Sequence, residues 1–151
     1  MRFRALLSLI LLGCLATNNL NASDKFSAVI QVDEMIITQY EIDQRAKFFK
    51  LLNFPGNHEN QAKKSLIDDR LKMRAAEQLG IKIQGERLEF EMQTFANRAN
   101  LTIDEFATRL KKQGVDRRTW EMYMQIPILW FKAVNKKFAS EISQNVSKDG
   151  T

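Results

Sequence analysis

The stretch "VDEMIITQYEIDQR" (residues 32–45) changes its period halfway along. Its first half belongs to "SAVIQVDEMIIT" (27–38), an alternating run rich in Val and Ile with polar Asp33-Glu34 in the middle, which reads as a short β-hairpin. At Thr38 the alternation stops. Thr38-x-x-Glu41 is a capping box, in which hydroxyl and carboxylate satisfy the free backbone N–H groups of a helix start. Ile42, Ala46, Phe49 and Leu52 then recur at helical spacing through about Leu52. A lone hairpin is marginal in water and needs a third strand or a helix beneath it.

Downstream, the pattern stays helical. "NFPGNHEN" (53–60) is a loop by its Pro-Gly and Asn content. A second helix is expected from about Asn60 to Leu79, with Leu66, Ile67, Leu71, Ala75 and Leu79 apolar and Gly80 as its stop. "IKIQG" links it to a third, about Glu86 to Ala99, carrying Leu88, Met92, Phe95 and Ala99. Thr102-x-x-Glu105 repeats the capping box and opens a short helix from Ile103 to Gln113, ended by Gly114. Asp116 caps a fifth helix, Arg117 to about Ile142, and the remaining "SQNVSKDGT" reads as a frayed polar tail. The expectation is a mainly α domain, a short N-terminal β-hairpin followed by about five helices.

The 151 residues, 44% hydrophobic and 27% charged, suit one globular domain. Residues 1–22 read as a signal peptide: Arg2 and Arg4, then the apolar "ALLSLILLGCLA" (5–16), then small polar residues. Twelve apolar residues reach about 18 Å as a helix, short of roughly 30 Å of bilayer hydrocarbon, so no transmembrane span is expected. Cleavage is read after Ala22, with Ala16 as the alternative; "LLGC" also allows a lipoprotein signal, with Cys14 carrying the lipid. The domain then occupies 23–143 and the tail 144–151. Because Arg2 and Arg4 are the only charges in the leader, 23 basic residues fall to 21 against 18 acidic ones. That near balance, with export, argues against nucleic acid despite the doublets Lys63-Lys64, Lys111-Lys112, Arg117-Arg118 and Lys136-Lys137.

Catalytic chemistry finds little support. Cys14 lies in the leader and His58, the one histidine, in a loop, so neither a common zinc site nor a Cys–His pair assembles within one mature chain. Asp68 and Asp69 are neighbours on a helix, diverge, and read as surface charge. No Gly-rich phosphate loop is present, and no cofactor or metal is implied. The chain is not expected to be an enzyme.

Helix five carries "WEMYMQIPILWF" (120–131). On a helical wheel Trp120, Tyr123, Met124, Pro127, Trp130, Phe131, Val134 and Phe138 form one apolar stripe, read as the core face. Met122, Ile126, Leu129 and Ala133 form a second, across a narrow polar strip, widening the apolar arc to around 200°. Two accounts of the second stripe are open. The helix is central and touches others on two sides, or Met122, Ile126, Leu129 and Ala133, with Met124 and Trp130 at the edge, dock unfolded chains or a partner subunit. Pro127 removes one backbone hydrogen bond, so a kink is expected there.

The chain resembles the N-terminal chaperone domain of SurA-type proteins, periplasmic factors that escort outer-membrane proteins. Three segments carry the likeness: "VDEMIITQYEIDQR", "SLIDDRLKMRAAEQLGIKI" (65–83) and "LTIDEFATRLKKQGVDRRTW" (101–120). More distantly it is similar to the helical domains of PrsA-type foldases and trigger factor. Asp33-Glu34 stands where the family usually has Asn-Gly, and Gly85 where an acidic helix start is common. The parvulin-type isomerase domains of many family members, and their histidine pair, are absent from the 151 residues. The resemblance implies a periplasmic, ATP-independent chaperone that binds unfolded outer-membrane or secreted proteins, with no isomerase activity and no cofactor. A homodimer, a lipoprotein subunit with one fixed partner, and a shortened relative of a SurA-type isomerase are the alternative readings.

Overall fold

The structure, a computed structural model, describes residues 26–149, with side chains described through Ala139. The leader expected at 1–22, Cys14 and the last two residues lie outside that range. Strand β1 (Ala28–Val32) pairs antiparallel with β2 (Met35–Thr38), Val32 opposite Met35 across the turn, with a register shift between Ala28 and Ile30. Asp33 takes φ +54 at the turn, a left-handed conformation that Asp tolerates better than most non-glycine residues. Arg74 forms an ion pair with the Asp33 carboxylate.

Five helices follow: α1 (Gln39–Leu51), α2 (His58–Gln78), α3 (Gly85–Asn97), α4 (Ile103–Lys112) and α5 (Arg117–Asp149). Both capping boxes form. The Glu41 amide donates to Thr38 Oγ1 at 3.2 Å while the Thr38 amide donates to Glu41 Oε2 at 2.9 Å, and Thr102 and Glu105 repeat the exchange. Gly80 and Gly114 sit at φ +64 and +67, the left-handed geometry that ends a helix without a Cβ penalty.

Three boundaries shift from expectation, one of them the end of α3, which stops at Asn97 and not at Ala99. Helix α2 starts at His58, because Asn57 caps it by accepting the Asn60 amide at 2.9 Å. Helix α5 runs on to Asp149 instead of stopping near Ile142, no proline or glycine lying between 143 and 149 to break it.

Three apolar clusters hold the elements together. Ile37, Ile42, Ala62 and Leu66 seat the hairpin and α1 on α2. An aromatic cluster of Phe48, Phe49, Phe106, Trp120, Met92 and Leu110 joins α1, α3, α4 and the start of α5; the Phe106 and Trp120 ring centres are 4.7 Å apart. A third cluster packs Ala76 of α2 against Ile126, Leu129 and Ala133 of α5. The loop before α5 is clasped by α1. Gln44, buried, donates to the Gly114 carbonyl at 3.1 Å and accepts the Asp116 amide at 2.8 Å, while Tyr40 donates its hydroxyl to the Asp116 carboxylate.

At the centre lies a charge. Arg45 is 1% exposed, donates to Ser65 Oγ at 2.7 Å and to Asp69 Oδ2 at 2.8 Å, and lies 5.1 Å from the centre of the Tyr123 ring. Asp69 is therefore buried, not surface charge as its neighbour Asp68 is, because Arg45 on α1 supplies the counter-ion from 24 residues away. A second pair sits at the edge: Arg70 meets Glu41 and donates to the Ile36 carbonyl, tying α2 to the capping box and to β2.

Removing one partner of a buried pair strands the other charge, at about 3–5 kcal/mol. Asp69→Ala is therefore expected to lose about that much stability in urea denaturation. The double variant Arg45→Met/Asp69→Leu should recover most of it; a double variant as unstable as Asp69→Ala would show that the pair itself, and not the stranded cation, sets the cost.

The carboxyls respond to acid in opposite senses. Burial pushes Glu41 up, but the Thr38 amide and the Arg70 guanidinium together hold it below its ordinary value. Burial pushes Asp69 up, and Arg45 offsets only part of that. An acid whose folded value is lowered stabilises the fold above its unfolded value, about 4.3 for Glu, and loses that stabilisation as pH falls through the folded value. Asp69 contributes with the reverse sign. Glu41→Gln is expected to be less stable than the parent at neutral pH and to lose less on acidification in thermal melts. An unchanged acid dependence would remove Glu41 from the account.

Candidate functional site

Helix α5 is 33 residues long, about 50 Å, against 13, 21, 13 and 10 for the other four. A helix that outlasts its neighbours cannot keep one face covered along its whole length. The first apolar stripe is covered at its start, where Trp120, Tyr123 and Met124 join the aromatic cluster. Trp120 is fully buried, and its indole N–H has no partner among the described residues. Beyond Met124 the same stripe opens. Pro127 is exposed, Trp130 is 42% exposed, Phe131 67% and Phe138 38%.

The second stripe does the reverse. Met122 is half-buried, but Ile126, Leu129 and Ala133 are buried against Ala76, with Met73, Leu79, Ile81 and Ile83 packed around them. The connection 81–84 covers them, and two lysines of α5 tie it and the end of α2 down. Lys136 Nζ donates to the Leu79 carbonyl at 2.7 Å, and Lys132 Nζ lies 3.4 Å from that of Lys82. Since the last turn of α2 has no basic residue of its own, Lys136 supplies the positive charge its C-terminus favours. Leu129 lines a recess of about 250 Å³ between α2, residues 81–83 and α5.

Of the six residues expected to dock a partner, Ile126, Leu129 and Ala133 thus belong to the interior, Met122 and Met124 are half-buried, and Trp130 stands on the surface. The structure adds Phe131 and Phe138, which the wheel assigned to the core. Spacing alone could not separate them from Trp120, since all share one face. The usable signal was length: a helix extending so far past its neighbours must leave the end of its stripe bare.

The described residues offer no set of three or more His, Cys, Asp or Glu placed to hold a metal ion. His58 opens α2, its Nε2 2.8 Å from the Phe54 carbonyl oxygen. No helix among the described residues is long and apolar enough to cross a membrane.

No family model matches the chain. Among curated proteins it is similar to Chaperone SurA of Pseudomonas fluorescens (strain Pf0-1), 30% identical over 118 residues, which cover 73% of this chain and 27% of that protein. The chain thus spans about a quarter of the length of the curated relative it matches. Over that span the match is a likeness to a SurA-type protein.

The two stripes are expected to respond oppositely to a charge. Leu129→Asp places a carboxylate in a closed apolar cluster and should cost about 3 kcal/mol or more. Phe131→Asp, on the open stripe, should stay within about 0.5 kcal/mol of the parent in urea denaturation. Equal losses would mean that the open stripe is packed in solution.

Proposed function

We propose that the protein is a periplasmic, ATP-independent holding chaperone that binds apolar-aromatic segments of unfolded outer-membrane or secreted polypeptides, without chemistry. The observation carrying this reading is the open half of the α5 stripe: three large aromatic side chains, Trp130, Phe131 and Phe138, exposed on one helix. Scattered exposed hydrophobics are ordinary, but several aromatics lined up at helical spacing form a docking surface. The similarity to Chaperone SurA supports the same role. Methionines and aromatics suit it because they adapt to varied partners. Ile126, Leu129 and Ala133 then act by holding the stripe in place, while Trp130, Phe131 and Phe138 touch the client. The SurA resemblance and the basic, apolar leader at 1–22 support export to the periplasm.

The expected outcome is that the mature protein suppresses the aggregation of several unrelated unfolded proteins, measured by light scattering, in substoichiometric to equimolar range. Trp130→Ala/Phe131→Asp should lose most of that suppression while keeping its helix content by circular dichroism. Protection of one fixed, stoichiometric partner alone would replace this reading with that of an accessory subunit.

A further inference from the structure

Between Glu121 and Glu141 the sequence of α5 carries Lys132, Lys136 and Lys137 and no acidic residue. Among the described residues none of these three lysines meets a carboxylate; Lys132 and Lys136 turn to backbone carbonyls instead. Carbonyls carry only partial charge, so the local positive charge is not cancelled by them. Lys137 places its ammonium 5.6 Å from the centre of the Phe138 ring, on the open stripe itself. Elsewhere several cations do meet carboxylates: Arg117 pairs with Glu121 and Asp104, and Arg70 and Arg74 with Glu41 and Asp33. The exposed aromatic surface thus coincides with a stretch of α5 whose lysines meet no carboxylate among the described residues.

We infer that the open stripe selects extended polypeptide segments in which aromatic side chains are flanked by carboxylates. This rests on the chaperone reading above and narrows it to a client class. Trp130, Phe131 and Phe138 supply apolar contact common to every aromatic segment. Lys137 discriminates among them by charge, and Lys132 and Lys136 add positive potential from the other side of the helix. The Debye length is about 8–10 Å at moderate salt, so a carboxylate next to a docked aromatic lies inside the reach of Lys137. Exposed ion pairs each shift affinity by a small factor, and two or three together give about a threefold to tenfold preference.

The test uses the mature protein with Trp120→Phe, which leaves Trp130 as the sole tryptophan of the two in the chain and a reporter on the stripe. Two peptides with identical aromatic spacing, one flanked by Glu and one by Lys, are titrated while Trp130 emission is followed. The Glu-flanked peptide should bind about threefold to tenfold more tightly at low salt, and the gap should close at high salt. Lys137→Glu should narrow or invert the preference, while Lys111→Glu on α4 should leave it intact. Equal binding of both peptides would overturn the charge inference and leave the chaperone reading standing. Binding of neither would overturn both. Binding of phosphatidylglycerol vesicles but of neither peptide, lost in Lys137→Glu, would assign the surface to anionic lipid and overturn the inference.

Discussion

A guanidinium in the interior is the constraint around which the domain is arranged. A site that buries a guanidinium has to satisfy a planar cation, with a carboxylate, a hydroxyl and polarisable ring faces. Asp69 and Ser65 of α2 provide the first two, and Tyr123 of α5 and Phe49 of α1 the third. Three helices are thereby fixed in register by one side chain. An apolar contact tolerates sliding by a residue; a buried ion pair does not, since a slip strands both charges. The hairpin is held on the same principle, through Arg70, Glu41 and the carbonyl of Ile36.

That fixed register explains why α5 changes its buried side along its length. With Tyr123 set against Arg45, the first turns of α5 face α1, α3 and α4. Further along, α2 and the 81–84 connection approach from the other side and take up Ile126, Leu129 and Ala133. The broad apolar arc reflects a helix that buries two faces in succession. What remains uncovered is the continuation of the first face, and the aromatic side chains of Trp130, Phe131 and Phe138 lie there.

Local signals were legible because their physics is local. Thr38 and Thr102 with their glutamates, Gly80 and Gly114 with their left-handed conformations, and the alternation of 27–38 need no knowledge of the rest of the chain. Asp69 read as surface charge because its partner lies on another helix, and burial of a carboxylate is decided only by what faces it. Leu71 failed in the opposite direction. It falls at an apolar position of α2 yet is 51% exposed, because nothing among the described residues packs on that side of the helix. Trp130 was legible as a surface residue only in part, since period places a residue on a face, while cover depends on where the neighbouring helices end.

The size of the open stripe also bears on how a client would be held. Three partly exposed aromatic side chains offer roughly 300 Å² to a partner, worth about 7 kcal/mol at ordinary transfer values. Losing free translation and rotation takes back at least about 4 kcal/mol. A few kcal/mol remain, which corresponds to millimolar affinity for a single segment. Such contacts would dissociate quickly, and an unfolded chain would stay bound only by presenting several segments in turn or to several copies of the protein. A holder that must release its client without ATP requires this weakness. A tighter apolar cleft would retain the client, and a fully covered α5 would bind nothing. Lys137 beside the stripe fits the same regime, since it would raise the encounter rate and sort segments without adding much residence time.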